Sequence, residues 1–177
     1  MTACGSGSSS SSAGGTTAPA PSGSLELRPV YARYAQGVPL GDNQLGPTVP
    51  QDLLSAMRQH DCSSKPSELQ GMLLLCGPDR TVYLLKDPLV AGGVASATAA
   101  HIGGQTDWYV KLALDQQATD TLSQATRSMA GSELAFVLED EVLSAPVIDP
   151  SMAAGHVVIT GNLDQAQATK LADRLAS

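Results

Sequence analysis

The chain has 177 residues, enough for one domain and a tail, with 42% apolar residues to build a core and only 15% charged residues. A net charge of −7 and the scarcity of aromatics (one Trp, one Phe, four Tyr) exclude a nucleic-acid surface and a basic lipid-binding patch, because phosphates recruit clustered Lys and Arg. No run of about 18 apolar residues is present, so no segment of this sequence is expected to cross a bilayer as a helix.

Residues 5–24 are entirely Gly, Ser, Ala, Thr and Pro. Such a segment buries too little apolar surface to offset its ordering entropy, so residues 1–24 are expected to form a disordered tether. A flexible chain of about 20 residues spans roughly 25 Å. Cys4, followed by Gly5 and this tether, resembles the cysteine of a bacterial lipobox, which implies lipidation of Cys4 and export. The alternative is a free cysteine in a tail. The other two cysteines, Cys62 and Cys76, make an even pair, which an oxidising compartment would close into a disulfide. Two buried thiols are the alternative, and no His or third Cys completes a metal-ligand spacing.

The folded part is expected over 25–177. Leu25 to Tyr31 alternates as a strand, with Pro29 pointing to a sheet edge. Tyr34 to Pro47 reads as a loop. Thr48 is the expected cap, with Gln51 three residues on, of a short helix whose apolar face is Leu53, Leu54 and Met57 and which ends near His60. Ser63 to Gln70 reads as polar loop. Met72 to Cys76 and Thr81 to Leu85 form a hairpin about the turn Gly77-Pro78-Asp79-Arg80. Asp87-Pro88 breaks the run, Gly92-Gly93 turns again, and Ser96 to Ile102 is read as a strand before Gly103-Gly104.

Trp108 to Leu114 alternates most clearly, with Trp108, Val110, Leu112 and Leu114 on one face. Asp115 caps a helix with the stripe Ala118, Leu122, Ala125 and Met129, ended by Gly131. Leu134 to Leu138, the acidic turn Glu139-Asp140-Glu141 and Val142 to Ile148 read as a hairpin, and His156 to Thr160 as another strand. Asn162 or Asp164 starts a last helix with the stripe Ala168, Leu171, Ala172 and Leu175. The order of elements predicts an α+β two-layer domain, a mostly antiparallel sheet with two amphipathic helices on one face.

No residue set carries catalysis. Ser144, His156 and Asp149 lack a nucleophile elbow, so a hydrolase is the weakest alternative. His60, His101 and His156 are scattered, which leaves no metal site and no cofactor motif. Glu139, Asp140 and Glu141 read as a solvated turn, and Trp108 as a core residue because it shares a face with Val110 and Leu112.

The run Leu134-Ala-Phe-Val-Leu-Glu-Asp-Glu-Val-Leu-Ser-Ala-Pro-Val-Ile148 resembles the hairpin segment of SecD that reads LAIVLDG-x-VISAPVI. Ile159-Thr-Gly-Asn-Leu163, followed by Ala166 and a Leu/Ala-rich helix, is similar to SecD's I-S/T-G-N-F segment. Trp108-Tyr-Val-Lys-Leu-Ala-Leu114, Tyr83-Leu-Leu85 with Pro88, Leu27-Arg-Pro-Val30 and the spacing of Cys62 and Cys76 follow the same order. The resemblance implies the head subdomain of the first periplasmic domain of SecD, a subunit that assists protein export and is thought to contact the emerging polypeptide. SecD's transmembrane helices and base-subdomain motif have no counterpart here, so these residues are not expected to couple to a proton gradient. The expected function is a membrane-tethered, extracytoplasmic, non-enzymatic domain that binds exported polypeptide or an export-complex subunit through strand addition. The candidate surfaces are the 134–148 hairpin, with Phe136, Leu138, Val142, Ser144 and Pro146, and the edge near Leu25 to Tyr31. A structural accessory lipoprotein of the envelope is the alternative.

Overall fold

The computed structural model describes residues 24–36, 49–101 and 107–176. Cys4 and its tether, Thr48 and Gly103-Gly104 lie outside the described residues. In chain order the elements are β1 (Leu25–Ala35), α1 (Gln51–Gln59), β2 (Ser67–Leu69), β3 (Met72–Cys76), β4 (Thr81–Leu85), β5 (Val90–Ala91), β6 (Val94–His101), β7 (Trp108–Leu114), α2 (Gln116–Ser128), β8 (Leu134–Leu138), β9 (Glu141–Ser144), a 3-10 turn (Pro150–Ala154), β10 (His156–Leu163) and α3 (Gln165–Leu175).

The α+β class and the antiparallel pairing are as expected, but the strands divide into two sheets. One runs β2-β3-β4-β1-β8-β9, with β5 also paired to β1, and the other runs β10-β7-β6. β1 is the hinge of the first sheet. Its first half pairs with β8 and β5, and its second half pairs with β4 after a register shift between Val30 and Ala32. A bulge bends a strand and increases its twist, which lets one strand serve two halves of a curled sheet.

This corrects the edge placement of β1. Its Pro29 is tolerated in a central strand because of where its nitrogen points. The carbonyls of Leu27 and Pro29 accept from Leu89 and Lys86, so this side of β1 faces the Asp87-Pro88 break between β4 and β5. Pro29 therefore lacks an N–H where the partner strand is itself interrupted, while Val30 donates to Glu133 on the other side.

Three cores follow from this curl. The largest packs Leu25, Leu27, Leu134, Phe136 and Leu138 against β7, β10, α2 and α3. A second joins Ala32, Leu74, Val82 and Leu84 to the Leu53, Leu54 and Met57 face of α1. The third lies inside the curl, where Leu75, Tyr83 and Leu85 meet Ala135, Val137 and Val142. Burial there pushes the Tyr83 phenol above its ordinary value.

The expected helices form with their expected stripes, except that Met129 is the half-buried C-cap of α2 and Thr126 is buried in its place. Asp115 Oδ1 accepts from the Ala118 N–H at 2.8 Å, and Asp164 forms a capping box with Gln167. The α1 cap differs: Pro50 occupies the N-cap with no side-chain hydrogen bond. β2, β5 and the 3-10 turn are short elements that the loop-like sequences around them concealed. β9 stops at Ser144, earlier than the expected strand to Ile148, because Pro146 has no N–H to continue the ladder. The Pro146 carbonyl nevertheless accepts from Leu134 at 2.9 Å, which keeps the segment aligned. Among the described residues, no helix is long and apolar enough to cross a membrane.

Candidate functional site

β8 carries five buried residues in succession, as a strand covered on both faces must. Phe136 is 0%, Leu138 1% and Val142 0% exposed. The side chains of these three expected contact residues are therefore core, and they are not available on the surface. Ser144 is half-buried, and its Oγ is buried without a hydrogen-bond partner. It thus makes no hydrogen bond to His156, and the triad of Ser144, His156 and Asp149 is not assembled. Pro146 is half-buried.

What the hairpin does present is the outer edge of β9, the last strand of its sheet. That edge borders a groove of about 610 Å³. Glu141 and Leu143 of β9 form one wall, residues Ile159 to Leu163 of β10 form the floor, and Gln167, Lys170, Leu171 and Arg174 of α3 form the far wall. Pro78 and Asp79, from the β3–β4 turn, close one end. That volume lies within the range of ligand pockets, about 300–1,000 Å³.

Local structure explains this groove. β10 slips register against β7 between Thr160 and Leu163, so Gly161 and Asn162 leave the ladder and line the groove. The capping box at Asp164 then starts α3 at once, setting Lys170 and Arg174 over the same space. Arg174 pairs with Glu139 at 2.8 Å, tying the end of α3 to the β8–β9 turn. Leu143, Ile159, Leu163 and Leu171 are apolar, whereas Glu141, Asp79, Lys170 and Arg174 place both charges around them. Two segments that carry the resemblance, 134–148 and 159–163, thus border one groove. The sequence had marked both segments, but only their meeting in space, with α3 as third wall, gives the second a role.

A neighbouring hollow of about 460 Å³ meets the groove at Pro78 and Glu141. It lies beside the Cys62–Cys76 disulfide, which closes a 14-residue separation and joins the loop after α1 to the end of β3. Asp61 lies in that loop, and the Ser63 backbone N–H and hydroxyl hold its carboxyl below the ordinary range. Among the described residues no group of three His, Cys, Asp or Glu side chains could hold a metal.

Fold and groove define the class: a disulfide-stapled α+β module in which a strand edge, open among the described residues, borders a cleft of mixed polarity. The chain belongs to the SecDF P1 head subdomain family, whose model matches residues 70–177. The protein translocase subunit SecD of Acetobacter pasteurianus is 36% identical over 84 residues, 47% of this chain and 16% of that protein. SecD of Rickettsia bellii is 28% identical over 104 residues, 58% of this chain and 20% of that protein. This chain therefore spans a fifth or less of the length of these relatives. A crystal structure of SecDF in its super-membrane-facing form superposes with a TM-score of 0.54 at 25% identity, covering 86% of this chain and 18% of that one. A second SecDF structure, of a membrane component that enhances protein export, gives 0.54 at 23% identity over 86% of this chain and 61% of that one, a likeness of fold alone.

Proposed function

We propose that this chain is an extracytoplasmic protein-binding domain of the SecD-head type, held at the membrane through Cys4, that receives an extended stretch of exported polypeptide along the β9 edge. The observation that carries this reading is the convergence of the 134–148 and 159–163 segments on one groove beside the outer edge of β9, which pairs with no strand among the described residues. An added strand would take main-chain hydrogen bonds from β9, and its alternate side chains would rest on the half-buried Leu143 and Leu163. Main-chain pairing tolerates any sequence, which suits a domain that meets many unfolded chains.

The energetics fit transient contact. Burying one or two aliphatic side chains stabilises by roughly 1.5–3 kcal/mol each, and ordering an unfolded segment offsets about 2–5 kcal/mol of the gross gain. Weak binding leaves the chain free to move on. The disulfide supports a place outside the cytoplasm, where thiols oxidise and stay oxidised. Lipidation of Cys4 rests on the sequence of the tail and would supply the tether.

Titration of the labelled protein with a reduced, carboxymethylated polypeptide, followed by amide NMR, tests this. Shifts are expected at 141–143 and 159–163. Their absence at millimolar peptide would end the proposal.

A further inference from the structure

β6 runs for eight residues along the outside of the three-stranded sheet, and among the described residues no strand pairs with its outer edge. Proteins usually guard a long edge with Lys, Glu, Pro, a mid-strand bulge or shortness. The other ends of the first sheet obey this: β2 has three residues and carries Glu68, and β9 carries Glu141 next to Glu139 and Asp140. β6 does not. Its register shift falls at its very start, between Val94 and Ser96, and its side chains are Val, Ala, Ser and Thr until His101.

We propose that this edge pairs with β6 of a second copy of the chain, antiparallel about a two-fold axis normal to the sheet, giving one continuous six-stranded sheet. With the axis at Thr98, this residue lies opposite itself, Ala97 opposite Ala99, and Ser96 opposite Ala100. No like charges meet, which matters for a chain of net charge −7. The acidic β9 edge could not accept a second copy so readily. Rotation about the sheet normal keeps each face on its own side, so α3, which packs over β6, comes beside its counterpart and widens the interface.

A second copy fits this edge better than an unfolded segment. The Ala, Ser and Thr side chains of β6 offer no pocket to anchor a partner's side chains. A disordered peptide would have to be ordered for little burial, whereas a second folded copy brings a strand already in place. The inference does not rest on the polypeptide reading, which concerns β9.

Sedimentation equilibrium of the full chain from micromolar to several hundred micromolar tests it, with Thr98→Glu, Thr98→Lys and their equimolar mixture. Thr98 stands beside Lys111 of its own copy, so the Glu variant keeps an internal partner. The wild type is expected to dimerise. Each variant alone should associate at least tenfold more weakly, and the mixture should recover. A wild type that stays monomeric throughout, or a Thr98→Glu protein that dimerises as tightly as wild type, overturns the proposal. Should a variant lose its fold, hydrogen exchange of the wild type decides: amides of Ala97 and Ala99, which alternate with those bonded to β7, should gain protection with concentration, and unchanged protection overturns it.

Discussion

Ser144 and Asp149 show how much a single residue reveals. The Ser144 hydroxyl is buried beside Phe136 in the ladder with no partner, which is costly for a polar atom. Ser144→Ala should therefore raise stability by about 1 kcal/mol in urea denaturation. A loss of that size would mean the hydroxyl has a partner after all. Asp149 accepts from the Ser151 hydroxyl and from its N–H at 2.7 Å, which lowers its pKa from the ordinary 3.8. A lowered folded-state value means that its contribution is complete above the ordinary value and disappears as pH falls through the folded one. Asp149→Ala should accordingly melt below wild type at pH 7, and the gap should narrow towards pH 2. A gap that widens on acidification would reverse the sign. Phe136, Leu138 and Val142 were legible as strand residues but misplaced on the surface. The unbroken apolar run from Leu134 to Leu138 already carried the signature of a strand covered on both sides.

At the scale of elements, the helices were readable because their information is local. Asp115 and Asp164 cap, Gly131 takes a positive φ of 83° just past the end of α2, and the stripes bury as spaced up to Met129, which caps α2 half-buried. Asp164→Ala should cost about 1 kcal/mol, since it removes the capping box at the start of α3. Chemical denaturation checks this, and an unchanged midpoint would show that packing alone holds the helix. The place of β1 was not readable, because tolerance of Pro29 depends on a gap between β4 and β5 more than fifty residues away in sequence. The two-sheet division escaped for the same reason: the bulge after Val30 marks a bend only when both partners are known. Gly155 is another long-range requirement. A Cβ there would collide with Thr119, on a different element, at a backbone φ of 72°.

For the molecule as a whole, the disulfide and the groove carry the account. The Cys62–Cys76 bond fixes the loop beside the hollow that adjoins the groove, and Cys62→Ser with Cys76→Ser should cost roughly 3 kcal/mol by the loop-closure argument. Melting with and without reductant checks it: the wild type should fall to the level of the double variant, and insensitivity to reductant would contradict a structural role. Two sequence segments 11 residues apart at their nearest ends were recognisable one by one. Their joint site with α3 was not, because it exists only after β10 bulges and α3 folds back. The most direct test places a photo-crosslinking residue at Asn162, in the groove, or at Glu68, on the distant β2 edge, and exposes each protein to an unfolded export substrate. The groove reading expects adducts from position 162 and none from 68. Equal labelling at both, or none at 162, would contradict it.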